Sequence, residues 1–283
     1  VRLTVTSYNI KFPDRNAPHS WEQRRPLMAE QLARLAPDVL AVQEAYFHQV
    51  RELCEDLSGR DSSGRDSSPG RRFDWGGMGR EGGSHGEFAA VLFDADLLEP
   101  VEYDHFWLSD TPATVGSKTP SWGNFGNTRM ATWVRFRTVA PDPVTGVRRE
   151  LLVLNTHLDE SSERARQYGV ELIAARLVRG FEAGLPVVVC GDFNTPAGGV
   201  VHASLLERGG LRDAWTEAAK DGSTGPELAS YAGWGDPEPG GERIDWVLLG
   251  GPVDVESISL DVHRDGDRWP SDHLPLTARL KVG

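Results

Sequence analysis

The sequence predicts a single α/β domain, two packed β-sheets with peripheral helices. Three observations carry this expectation. Strand-like apolar segments outnumber helical ones, several of them stop at polar clusters, and no clean linker divides the 283 residues. A content of 39% hydrophobic and 25% charged residues suits a globular chain of that class.

Residues 2–10, RLTVTSYNI, alternate apolar and polar as a half-buried strand does. A helix should follow from Trp21, because Leu27, Met28, Leu32 and Leu35 recur at helical spacing before Pro37 and Asp38 stop it. DVLAVQEA then reads as a short buried strand reaching Glu44, and a second helix should cover 47–57. Gly-Arg-Asp-Ser-Ser occurs twice in tandem in the stretch that follows, so a flexible loop is expected at about 58–72. Strands are expected at 72–78, 87–94 and 97–107. Residues 109–128 are rich in turn formers and should make the kind of long ordered loop that often borders an active site.

RMATWVRFR and ELLVLNTHLD are two further strands, joined through a Pro/Gly turn at 141–146. A helix should span 162–179 with Ser161 or Ser162 as its N-cap. VVVCGDFNTP, residues 187–196, is an apolar strand that ends in Gly191 and then presents Asp192 and Asn194 before Pro196. A short helix near 200–208, a Gly/Pro-rich loop at 221–242 and the strands RIDWVLLG, VESISLDVH and HLPLTARLKV complete the chain.

The formal net charge is -12, and the basic residues cluster only as the pairs Arg24-Arg25, Arg71-Arg72 and Arg148-Arg149. Tight binding along duplex nucleic acid wants a basic stripe, so the composition argues against it. A small phosphate ester remains compatible, since a bound metal ion supplies positive charge locally. Cys54 and Cys190 form no metal-binding or disulfide pattern. No apolar run approaches the ~20 residues of a membrane span. The chain begins at Val1 without signal-peptide features, which leaves secretion after leader removal and a cytoplasmic location both open. A monomer is expected.

Nine polar groups sit at or just past strand ends: Asn9, Glu44, Glu87, His157, Asp192, Asn194, Asp245, Asp272 and His273. Burying any one of them is costly unless it is paired. Together they are the carboxylates, amides and imidazoles that bind a hard divalent ion and move protons. The i, i+2 spacing of Asp192 and Asn194 puts both on one side of an extended segment. Of nine tryptophans, Trp122 and Trp234 lie in Gly-rich loops, where an exposed ring can stack on substrate. The other histidines, His85 and His105 included, read first as surface or turn residues.

The ordered set SYNI, QE, GEF, THLD, GDFN, RIDWV and SDHLP resembles the endonuclease/exonuclease/phosphatase superfamily, and does so from about residue 3 to residue 280. GREGGSHGEFAAVLF and FWLSDTP resemble uncharacterised bacterial members more closely. The resemblance implies a four-layer sandwich, two central mixed β-sheets flanked by helices, and a divalent-metal-dependent phosphoesterase using Mg²⁺, or else Mn²⁺ or Ca²⁺. It further implies that Glu44, with Asn9 and Asp272, holds the metal. Asp192 would activate water, Asn194 would bond a phosphate oxygen, and His273 oriented by Asp245 would be the catalytic histidine. His157 would be oriented by Glu87, both rings would be protonated, and Arg129 would approach the phosphate. The substrate implied is a small or medium phosphate ester, with a DNA or RNA nuclease as the alternative. A sphingomyelinase-type lipid phosphodiesterase and a non-catalytic binding module rank below both.

Overall fold

The computed structural model describes residues 1–15, 18–59, 71–180 and 184–283. Most of the tandem-repeat loop expected at 58–72 therefore lies outside the described residues. In chain order the elements begin with β1 (Arg2–Asn9), α1 (Trp21–Leu35), β2 (Val39–Ala45), α2 (Phe47–Leu57), β3 (Phe73–Gly76) and β4 (Phe88–Asp94). Next come β5 (Leu98–Trp107), β6 (Met130–Thr138), β7 (Glu150–His157), α3 (Glu163–Gly180) and β8 (Val187–Asp192). The chain ends with α4 (Val200–Gly209), β9 (Arg212–Asp213), α5 (Ala214–Ala219), β10 (Asp245–Gly250), β11 (Val253–Leu260) and β12 (Leu276–Val282). Among the described residues no helix is long and apolar enough to cross a membrane.

The strands form two six-stranded mixed sheets, ordered β11-β12-β1-β2-β4-β3 and β5-β6-β7-β8-β10-β9. β1 runs parallel to β2, and β7 parallel to β8; the other pairings are antiparallel. Burial of both faces explains why β8 is apolar throughout. Val188 and Cys190 join the core between the sheets, while Val187 and Val189 pack toward α3 and α4. On the far side, Met28 and Leu32 of α1 and Val50 and Leu53 of α2 cover Tyr8, Val42 and Leu92. The order helix, sheet, sheet, helix is the four-layer sandwich.

Register brings the polar strand ends to one edge. Asn9 of β1 pairs with Gln43 of β2, and His157 of β7 with Asp192 of β8. β10 enters at the same place, with Asp245 opposite Asp192. Gly191 is required by close strand approach: a Cβ there would lie 2.0 Å from the Thr156 carbonyl oxygen. A polar contact crosses the core just beneath this edge. Gln43 Nε2 donates to Asn155 Oδ1 at 2.7 Å, and Asn155 Nδ2 donates to the carbonyls of Val42 and Ala90 in the other sheet.

The helices at 21–35 and 47–57 fall where the sequence predicts them, and Ser162 Oγ caps α3 by accepting from the Ala165 amide. β9 and α5 were not expected. Asp213 creates the turn into α5 by accepting from the Trp215 and Thr216 amides. The same carboxylate pairs with His202 Nε2 at 2.8 Å and Arg243 Nη2 at 2.9 Å. Burial alone would raise its pKa, but His202 and Arg243 outweigh that and hold it down at about 2. A depressed carboxylate stabilises the fold fully above its ordinary pKa and loses that contribution as pH falls through the folded value. Asp213→Asn is therefore expected to cost about 2 kcal/mol at pH 7 by chemical denaturation. The gap between variant and wild type should close as the pH is lowered from about 4 toward 2.

Candidate active site

The ends of β2, β7 and β8 and the loops around them converge on one polar cleft of about 360 Å³. Its lining includes Lys11, Glu44, Glu87, Arg129, His157, Asp192, Asn194, Asp272 and His273. Eight of these nine were expected from the sequence, Glu87 with a different partner from the one it has; Lys11 was missed altogether.

At the centre lies the carboxamide of Asn9, fully buried. Its Nδ2 donates to Glu44 Oε1 and to Asp192 Oδ2, both at 3.0 Å, so one amide joins a carboxylate from each sheet. Its Oδ1 accepts from the Lys11 amide at 3.1 Å, which fixes the orientation of the group. Asn9 thus turns its nitrogen, not its oxygen, toward the carboxylates, unlike the metal-ligand expectation. Asp192 is held at both oxygens, because Oδ1 accepts from the Asn194 amide at 2.9 Å.

His273 lies between two acids. Its Nδ1 is 3.0 Å from Asp245 Oδ2 and its Nε2 is 3.6 Å from Asp192 Oδ2. Burial would lower the imidazole pKa, but Asp245 and Asp192 together overcome it and raise the value well above the ordinary one. Burial conversely raises Asp192. Donor atoms of Asp192, Asp245 and His273 all lie within 4.8 Å, a spacing that could hold a metal. The protonated ring already fills that space, and Asp245 lies beneath it outside the cleft lining, so the trio acts as an acid–imidazolium–acid chain.

His157 behaves oppositely. Burial, reinforced by Arg129 and by the charge on His273, keeps its pKa well below the ordinary value. Neutral Nε2 accepts from Asn194 Nδ2 at 3.0 Å. The second amide proton of Asn194 goes to the Leu158 carbonyl, also at 3.0 Å. The expectation of two protonated histidines therefore holds for one ring only. Glu87 does not orient His157 by an ion pair; its carboxylate is bound by Arg80 at 2.7 Å. Arg80 in turn reaches Asn127 at 3.0 Å. Arg129 is 4% exposed and pairs with Glu160, and its Nε has no partner among the described residues.

The two loop tryptophans do not line the cleft. Trp122 packs on Tyr168 with ring centroids 4.9 Å apart, and its carbonyl accepts from Ser162 Oγ. Trp234 stacks on His19 at 4.0 Å. The aromatic residues on the lining are instead Phe12 and Tyr231, the latter 5.0 Å edge-on to His273. Neither stood out in sequence, because Tyr231 reaches the site through a single bridge to His273 from the 221–242 loop.

Local backbone conformation is unusual at the same place. Lys11, Glu44 and Asn194 have φ of 59°, 60° and 50°, the left-handed region that side chains avoid. Such strain collects at functional sites and persists only where surrounding contacts hold it. Arg24, 1% exposed, provides that hold around Lys11. Its five donors reach the carbonyls of His19, Ile10, Lys11, Phe12 and Pro270, tying the loop after β1 to the loop bearing Asp272 and His273.

Five carboxylates line the cleft, Glu44, Glu87, Glu160, Asp192 and Asp272, against the cationic side chains Lys11, Arg129 and His273. An anionic ester entering this cleft needs more positive charge than the lining supplies. Hard carboxylate oxygens suit a divalent ion of the Mg²⁺ type, so the donor set fits the metal that the sequence implied.

A family model described as the Endonuclease/Exonuclease/phosphatase family matches residues 6–273, and the chain belongs to that family. The fold is similar to that of a family member from Bacteroides vulgatus, at 24% identity and a TM-score of 0.84 with both chains fully covered. It is also similar to a mannosyl-6-phosphatase of Bacteroides thetaiotaomicron, at 25% identity and a TM-score of 0.78 over 99% of each chain. Protein angel of Drosophila melanogaster is 25% identical over 205 residues, which are 68% of this chain and 52% of that relative. The chain thus spans about half the length of the curated relative it matches.

Arg24→Lys should test the strut. A lysine has three donors and no planar fork, so buried carbonyls lose partners at about 1–3 kcal/mol each. Thermal melts should show that loss. Turnover should fall by roughly ten- to a hundredfold as the two loops drift, with the substrate KM changing less.

Proposed function

We propose that this protein hydrolyses a small phosphate ester by direct attack of water on phosphorus, assisted by a divalent ion held at Glu44. The observation that carries this reading is the convergence of Glu44, Asp192 and His273 on Asn9 in one polar cleft. When bound, the ion would neutralise phosphate charge and polarise a phosphate oxygen.

The protein's own groups divide the remaining work. Asp192, fixed at both oxygens and raised by burial, is the acceptor for the proton of the attacking water. His273 stays cationic and stabilises charge on the phosphate and the departing oxygen. Arg129 lines the cleft beside Glu160, and its guanidinium charge suits a phosphate oxygen. Asn194, whose amide protons serve Leu158 and neutral His157, holds that ring and meets a phosphate oxygen only by releasing one of them. The lining contains no serine, threonine or cysteine among the described residues, which supports direct attack by water.

The dimensions and charge of the cleft favour a small ester over a nucleic acid. It has a volume of about 360 Å³, carboxylates stud its walls, and the chain has a net charge of -12. Glu160, Asn127 and Glu87 present hydrogen-bonding groups suited to the hydroxyls of a sugar or polyol leaving group. The similar Bacteroides protein named a mannosyl-6-phosphatase supports that choice.

Glu44→Gln should abolish turnover of a sugar phosphate, and Asp192→Asn should lower kcat by about 10²–10⁴-fold. Chelation should stop the wild-type reaction, and added Mg²⁺ or Mn²⁺ should restore it. A panel of sugar phosphates, nucleotides and single- and double-stranded DNA and RNA tests the substrate class. Sugar phosphates should be turned over fastest; steeply salt-dependent cleavage of the polymers instead would favour the nuclease reading.

A further inference from the structure

We propose that Lys11 is a built-in cation that occupies the gap between Glu44 and Asp272, so that the cleft holds one divalent ion, anchored on Glu44, and not two. This rests on the divalent-metal reading above and deepens it by fixing how many ions the site takes. Lys11 Nζ lies 3.1 Å from Asp272 Oδ2 and 3.8 Å from Glu44 Oε2. An ion ligated by both carboxylates would need oxygens at about 2.0–2.1 Å from its centre, in the space the ammonium group fills. Two cations that close repel strongly in a partly buried site. With Nζ in this position, ammonium and bridging ion are mutually exclusive.

Placement of this lysine is specific. Its φ of 59° is strained for a side-chain-bearing residue, and its backbone is fixed from three directions. The amide donates to Asn9 Oδ1, and the carbonyl accepts from Arg24 Nη2 and Gln49 Nε2, each at 3.1 Å. The side chain is only a quarter exposed and passes over the Phe12 ring, with Nζ 4.8 Å from its centroid. A solvating surface lysine needs none of these anchors. Asp272 is nearly buried, and Lys11 is its charge partner. Asp272 is then the acid that keeps the ammonium in place, and Glu44 alone remains to anchor the ion.

Equilibrium dialysis with Mn²⁺, read also by electron paramagnetic resonance, tests this without relying on turnover. The wild type should bind one Mn²⁺ per chain with no spin-coupled pair. Lys11→Met should bind two, and Lys11→Arg should return to one. Asp272→Asn should retain the single ion with less than about tenfold change in affinity, whereas Glu44→Gln should weaken it by roughly a hundredfold or more. Asp272→Asn covers the case in which Lys11→Met does not fold, which melting curves would reveal. Two ions in the wild type, one ion in folded Lys11→Met, or loss of binding in folded Asp272→Asn would each overturn the role of Lys11 while leaving metal dependence intact. Binding of no ion by any form would overturn the metal reading itself, and the inference with it.

Discussion

One buried carboxamide joins the two halves of this molecule where chemistry takes place. Asn9 leaves the end of β1 in one sheet and donates at once to Glu44 of its own sheet and Asp192 of the other. Carboxylates only a few ångströms apart repel each other, and in a buried setting that repulsion is poorly screened. The amide relieves it without adding charge. Below it the Gln43–Asn155 contact ties the sheets through an otherwise apolar core. Apolar packing alone has little directionality, and this polar contact between Gln43 and Asn155 adds it. Register therefore transmits from core to cleft.

The cleft is also where the backbone departs most from easy conformations. Glu44, Asn194 and Lys11 adopt positive φ, and each has hydrogen bonds that hold it there. Arg24 and the closing strand β12, whose preceding loop carries Asp272 and His273, complete the enclosure. Opposite protonation of the two histidines follows from position alone. Both rings have Asp192 within 3.6 Å, but His273 has Asp245 as a second carboxylate partner, whereas His157 is buried among an amide, Arg129 and the charge on His273.

Much of this was legible in the sequence. Strand ends carrying Asn9, Glu44, His157, Asp192 and Asp245 are visible because an apolar run that stops in a carboxylate needs a reason. The helical repeat from Trp21 to Leu35 and the terminators at Pro37 and Asp38 placed α1. The partners of those residues were harder to read. Lys11 looks like an ordinary solvated lysine after a strand until the fold brings Asp272, 261 positions later, beside it. Glu87 finds Arg80 because a tight turn folds 80–87 back on itself, a local geometry that the GREGGSHGEF string does not announce. Trp122 and Trp234 sit in glycine-rich loops that suggest exposure, yet Tyr168 and His19 supply packing surfaces from distant segments. Asp213 escaped notice because its cap, its histidine and its arginine come from three separate stretches.

The central claim is that water, activated at Asp192, attacks phosphorus directly, with no intermediate covalently bound to either histidine. The stereochemical course at phosphorus tests this most directly, using a phosphorothioate ester chiral at phosphorus and water enriched in heavy oxygen. A single in-line displacement predicts inversion, with one solvent oxygen in the released thiophosphate. Retention of configuration, the mark of two successive displacements through a phosphorylated side chain, would contradict the account.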